Sequence, residues 1–164
     1  MSSYARCLGS GFIVLALMGA ANAQDQHRQH VAFADREYNA VFSHAENPCG
    51  KESTTVGYEQ CMGKELEFTR NHLDAFLEAV RGILADEDGA PPSTDSTRKV
   101  KELDLLNNGD TAWREYTKNL CGLAFAGLDG GTGAASAEAE CEYRADRVYV
   151  KQVADAILLK ILAK

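Results

Sequence analysis

Apolar residues recur every three or four positions over long stretches of the chain, which is the spacing of one helix face. The pattern is strongest over residues 55–85, where the opposite positions are mostly charged. It is weaker over residues 28–45 and clear again over residues 135–162. We see no alternation of apolar and polar residues, as in a half-buried strand. The pattern therefore predicts an all-α fold, a small antiparallel helical bundle.

Proline and glycine residues interrupt this pattern and predict where helices end. Pro48 and Gly50 follow the first stretch, and residues 86–97, DEDGAPPSTDST, form a linker after the second. Asp95 or Ser96 is expected to cap a short helix with the sequence RKVKELDLL.

A second break is expected at Asn108-Gly109, with Asp110 as the N-cap of a helix with the sequence TAWREYTKNLCGLAFA. The turn LDGGTG, residues 128–133, then leads into the last helix. The two helices on either side of this turn should form an antiparallel hairpin.

The start of the chain is typical of a cleaved secretory signal. One positive charge, Arg6, precedes the apolar run GFIVLALMGAA, and Ala21-Asn22-Ala23 fits a cleavage site. The run is too short to span a bilayer, which takes about 20 apolar residues. We expect cleavage after Ala23, an uncleaved anchor being the alternative, and therefore a periplasmic or secreted protein. Cys7 precedes the apolar run, so it does not fit a lipid-acceptor cysteine.

Four cysteines remain after this segment, at positions 49, 61, 121 and 141. In an exported chain an even number predicts two disulfides, and four cysteines allow three pairings. We favour the local pairs Cys49–Cys61 and Cys121–Cys141. The second pair would link the two helices of the hairpin and close a loop of about 21 residues, worth about 3 kcal/mol in the chain-entropy model. The spacings lack the C-x-x-C element of common zinc sites.

Two aromatic residues precede Cys121, and two arginines follow Cys141. Trp113 and Tyr116 are expected to pack beneath the disulfide. Arg144 and Arg147 are one and two turns beyond Cys141, where either could cover the aromatic pair or meet an acid on a neighbouring helix.

The chain is acidic, with 17 basic and 24 acidic residues and a net charge of −7. Cleavage after Ala23 removes one basic residue, which leaves 16 against 24, or −8. This balance argues against nucleic acid as a partner, because phosphates require basic contacts. It permits attraction to a basic partner, although acidity also serves solubility alone.

The motifs together resemble one known family. They are Cys49 … Thr55 … Cys61, the pattern W-x-x-Y-x-x-x-x-C ending at Cys121, a glycine-rich loop, and C-x-x-x-x-x-R ending at Arg147. The chain resembles the lysozyme inhibitor LprI-like domain from about residue 47 to residue 159. The resemblance implies a small helical, disulfide-bonded exported protein, and one branch of the family inhibits lysozyme. The expected organisation is a signal peptide over 1–23, a helical segment over 24–46 and the LprI-like domain over 47–164.

The chain also departs from the family's usual residues. That lysozyme-inhibiting branch is a lipoprotein, whereas no lipid-acceptor cysteine is expected here. In the family's D-x-x-L-N pattern, Arg70 and Asp74 depart from the usual residues and Leu73 matches; the other departures are at Asp110, Thr117 and Lys118.

The resemblance and the charge predict a binding protein that inhibits lysozyme or a related glycoside hydrolase. The alternative is an accessory module of the same fold with an unrelated ligand. Neither a catalytic residue, a metal site nor a cofactor is expected, and the oligomeric state is open. Two acidic loops are candidates for partner binding, although each could be an ordinary solvated linker. The first loop contains Asp86, Glu87 and Asp88, and the second contains Asp129, Gly130 and Gly131.

Overall fold

The computed structural model describes residues 11–86 and 96–162, with side chains over 24–86 and 102–157. Four helices account for nearly all of these residues, and the described part of the chain contains no strand. The helices are α1 (Gly11–Ser43), α2 (Thr55–Asp86), α3 (Ser96–Ala126) and α4 (Ala134–Leu162). The predicted all-α fold is confirmed.

Each helix packs mainly against one or two others, in the spatial order α1, α2, α4, α3. Short connections make consecutive helices antiparallel. The first turns of α2 and α4 lie at the same end of the bundle, where the Tyr58 hydroxyl donates to Glu140 over 2.7 Å. The central pair, α2 and α4, therefore runs parallel, and α1 and α3 flank it.

The main core lies where α2 meets α1 and α4. It is built from the apolar stripe predicted for residues 55–85, which includes Leu77 and Val80 at no more than 1% exposure. A second cluster lies near the start of α2 and contains Cys49, Met62, Leu66 and Tyr143. Burial of these stripes drives the helices together, since apolar area removed from water is the main favourable term in folding.

The predicted break at Asn108-Gly109 is wrong, because α3 continues through it. Arg81 of α2 donates to the Asn107 side chain over 2.9 Å and pairs with Asp110 over 3.2 Å. Arg114 also donates to Asp110, one helical turn away, over 2.8 Å. These bonds hold the helix across the glycine, and Asp110 is a buried acceptor inside α3 instead of its N-cap.

Helix α1 is longer than the predicted stretch 28–45. It begins at Gly11, so the predicted cleavage point after Ala23 falls within it, and it ends at Ser43. Within the described part of the chain, none of the helices combines the length and the apolar character needed to cross a membrane.

Candidate functional site: the tip of the α3–α4 hairpin

Two disulfides brace the end of the bundle where α2 and α4 begin. Cys121 of α3 is bonded to Cys141 of α4, with 5.4 Å between their Cα atoms. Cys49 is bonded to Cys61, which ties the loop before α2 to that helix. Both predicted pairs are confirmed. Because Cys121–Cys141 joins two helices directly, it fixes the base of the turn between them.

The turn itself is held by its own backbone. The Asp129 amide donates to the Ala126 carbonyl over 3.0 Å, and the Gly131 amide donates to the Leu128 carbonyl over 2.8 Å. Asp129 and Gly130 have φ angles of 48° and 66°, in the left-handed region that glycine adopts most easily. The turn over residues 127–133 is therefore a defined loop, which we call the hairpin tip.

Apolar side chains surround this tip and face solvent. Leu128 is 48% exposed in the tip itself, and Leu123 is 69% exposed one turn before α3 ends. Phe125 is 39% exposed, and its ring would lie within 3.9 Å of a Cβ atom at Gly130. Asp129 is exposed beside them. The tip thus presents apolar anchors and one carboxylate, the composition expected of a small contact surface.

The predicted packing of both aromatic residues beneath the disulfide is only half right. Trp113 stacks on Tyr149 of α4, with 5.0 Å between ring centroids and 10° between planes. Tyr116 is 55% exposed, and its ring centroid lies 5.9 Å from that of Trp113. Tyr116 and Leu120 instead extend the exposed apolar surface along α3.

Arg147 was expected to cover this aromatic pair or to meet an acid on a neighbouring helix, and it contacts a different ring and two backbone carbonyls instead. Its guanidinium lies over the Phe42 ring and donates to the carbonyls of Val41 and His44 over 2.7 and 3.0 Å. Those carbonyls belong to the last turn of α1 and the residue after it, where helical partners run out. Arg147 therefore fastens the end of α1 to α4, while Arg144 pairs with Glu140 on its own helix.

The two acidic loops are not brought together. Asp86 ends α2 at the far end of the bundle from the hairpin tip, and it accepts a hydrogen bond from His30 over 2.6 Å. Glu87 and Asp88 lie outside the described residues. Of the two candidates, the structure describes a complete surface only for the loop that contains Asp129, Gly130 and Gly131.

A seam of histidine–carboxylate pairs between α1 and α2 was missed by the sequence reasoning. It consists of His30–Asp86, Glu37–His72 and His44–Glu65, with N–O distances of 2.5 to 2.6 Å. His72 therefore faces α1, and its side chain is 29% exposed. Burial tends to raise the pKa of Glu37, but hydrogen bonds from His72 and Arg36 outweigh it and lower that pKa. Only the register of the two helices could have revealed these pairs.

A second buried acid lies between α2 and α4. Asp146 is 7% exposed, and Arg70 is its nearest cation, 3.6 Å away. Burial raises the pKa of Asp146 to about 6, with Glu142 adding to the rise and Arg70 opposing it. Among the described residues, no group of three or more histidine, cysteine or acidic side chains could hold a metal ion.

Comparison with known proteins identifies a family for most of the bundle. The family model described as lysozyme inhibitor LprI matches residues 45–152, about two thirds of the chain. The chain belongs to the lysozyme inhibitor LprI family. No curated protein and no solved structure matches it. The match covers α2, α3 and most of α4, and it begins after α1 ends.

Proposed function

We propose that this protein is exported and inhibits a lysozyme-type cell-wall hydrolase by placing its hairpin tip against the enzyme. Family membership supports the class of target. The observation that carries the assignment to this surface is the tip itself, where exposed Leu128 and Asp129 stand on a hairpin braced by Cys121–Cys141. A braced loop loses little conformational freedom on binding, which favours affinity.

Charge supports the same partner. Lysozyme-type glycosidases cleave their substrate with a pair of carboxyl groups in a cleft. An acidic protein is drawn to a basic enzyme over distances that depend on salt. At the tip, the Asp129 carboxylate can accept hydrogen bonds from donors that line the cleft of the enzyme, while the Leu128 side chain packs against apolar residues of the cleft wall.

The test is the rate at which a basic lysozyme clears bacterial cell walls, titrated with the oxidised exported protein at low and at physiological salt. We expect saturable inhibition that weakens as salt increases. Asp129→Lys should weaken it at least tenfold, because one attractive charge becomes repulsive at the contact.

Asp104→Lys is the matched control. Asp104 is exposed on α3 near the opposite end of the bundle, and its substitution changes the net charge equally. Equal losses from both variants would mean that overall charge acts and the tip does not. No inhibition by the parent at either salt would refute the proposal and favour an accessory module with another ligand.

A further inference from the structure

A groove of about 520 Å³ opens between α1 and α4 and has α2 as its floor. Its floor consists of Phe76, Val80 and Ile83, none more than 3% exposed. The walls are mainly apolar, with Val31 and Tyr38 on α1 and Ile157 on α4. Its volume lies within the range of small-molecule sites, about 300–1,000 Å³.

The groove exists because small residues line both of its walls. Ala34 of α1 and Ala154 of α4 are each 7% exposed and lie on opposite sides of it. Neither side chain is long enough to reach across, and α1 and α4 touch each other little. Leucine at either position would fill part of the space.

The polar residues at the groove differ from one end to the other. At one end of the groove lie His27 and Arg28, close to residue 24, where the described side chains of α1 begin. Arg28 forms no ion pair or hydrogen bond with any described residue. Asp35 lies two turns further along α1, about 10 Å away at 1.5 Å per residue. One end therefore carries a guanidinium that forms no ion pair with a described side chain, in a chain whose net charge is negative.

We infer that this groove binds a single-chain amphiphile with an anionic head, of the long-chain fatty-acid type. The acyl chain lies along Val80 and Ile83, and the carboxylate meets the Arg28 guanidinium, which can bind it through two parallel hydrogen bonds. The inference is independent of the hairpin tip, which lies at the other end of α4.

Calorimetric titration of the oxidised exported protein with decanoate, dodecanoate and tetradecanoate tests this site. Affinity should rise about fourfold with each added methylene, the equivalent of about 0.8 kcal/mol per buried CH₂. Dodecyltrimethylammonium, with the same chain and the opposite charge, should bind at least tenfold more weakly. Arg28→Gln should weaken dodecanoate binding and should not weaken binding of that cation, because the substitution removes a like charge from its head group.

Ala154→Leu should reduce dodecanoate affinity at least tenfold. Ala156→Leu is its matched control, since Ala156 is exposed on the same helix and does not line the groove. Ala34→Leu tests the opposite wall should Ala154→Leu lower the melting temperature. Absence of binding, absence of chain-length dependence, or equal losses from the Ala154 and Ala156 variants would each overturn the proposal. Binding to phosphatidylglycerol vesicles without binding of dissolved dodecanoate would also overturn it, in favour of adsorption to membranes.

Discussion

Noncovalent contacts hold α1 against α2, whereas a disulfide joins α3 directly to α4. Both pairs are antiparallel hairpins with a disulfide at the same end of the bundle. Cys49–Cys61, however, ties only the connecting loop to α2, so α1 is held by its apolar stripe, by Arg147 and by three histidine–carboxylate pairs. The first hairpin should therefore weaken in acid through Glu37, whose pKa is lowered, and the second should weaken on reduction of its disulfide.

The family match sharpens this contrast. It begins at residue 45, so α1 lies outside the matched region, although its apolar face completes the main core. The α3–α4 hairpin lies within the match, and the apolar residues near its tip are exposed to solvent. The apolar face of α1 is therefore buried in the main core, whereas apolar side chains of the α3–α4 hairpin remain exposed.

Loss of the hairpin disulfide should have the largest effect on stability. Replacing Cys121 and Cys141 together by alanine should lower the free energy of unfolding by about 3 kcal/mol, because the unfolded chain regains the freedom of the closed loop. Urea unfolding of the double variant measures this directly. Unchanged stability would mean that packing alone holds α3 against α4 and that the comparison between the hairpins is wrong.

Removal of Arg147 should be the next largest effect, and it acts on the other hairpin. Arg147→Ala leaves the carbonyls of Val41 and His44 without their donor and should cost about 2–3 kcal/mol. Arg144→Ala is the matched control, since Arg144 is exposed and pairs with Glu140 on its own helix. Its loss should change stability by less than about 0.5 kcal/mol. Equal melting temperatures for the two variants would show that Arg147 does not fasten α1.

Acid should have opposite effects on stability through two of the buried carboxylates, Asp146 and Glu37. Asp146 has a folded pKa of about 6, above its ordinary value of 3.8. Its contribution to the free energy of unfolding is therefore most favourable below the ordinary value of 3.8. It is lost as the pH rises through about 6. The pKa of Glu37 is lowered, so its contribution is present above the ordinary value of 4.5 and is lost on acidification through the lowered pKa.

Asp146→Asn should therefore stabilise the protein at pH 7.5 by about 1–2 kcal/mol. Most of this gain should be lost by about pH 4.5, and the rest below the ordinary pKa of 3.8. Arg70 keeps a partner in the variant, because Glu142 lies 2.8 Å from it. Unfolding by urea at a series of pH values measures the difference. Asp155→Asn, an exposed change on the same helix, should show no such pH dependence. A variant that is less stable than the parent at pH 7.5 would contradict the assigned pKa direction.

Local patterns were enough to predict the all-α fold, the bounds of α2 and α4 to within a residue, and both disulfides. The stripe over residues 55–85 became the buried face of α2, and the turn at residues 128–133 brought Cys121 beside Cys141. Both inferences needed only helical periodicity and the closeness of antiparallel neighbours.

Contacts between helices that are distant in sequence could not be predicted in the same way. His72 meets Glu37 across 35 positions, and Arg147 meets Val41 across 106. The sequence pattern does not specify how far α1 slides along α2, or which face of α3 turns toward α4. For the same reason Tyr116 was expected inside and lies outside, and the predicted position of the candidate site remains a proposal.

The smallest expected effect on stability is that of replacing a glycine inside a helix by alanine. Its sign should differ between the two hairpins, and the wrongly predicted break at Gly109 provides the first case. A Cβ atom at Gly109 would have no neighbour within 4 Å, and this residue lies inside α3. Gly109→Ala should therefore stabilise the protein by about 0.5–1 kcal/mol, the usual gain in a helix interior.

At Gly82 of α2, in contrast, a Cβ atom would lie 2.6 Å from ring atoms of His30. Gly82→Ala should push that ring away from Asp86 and destabilise the α1–α2 seam. The melting temperatures of both variants test this difference in sign. Equal shifts in the same direction would mean that helix propensity alone acts at both sites and that the close contact with His30 has no effect on stability.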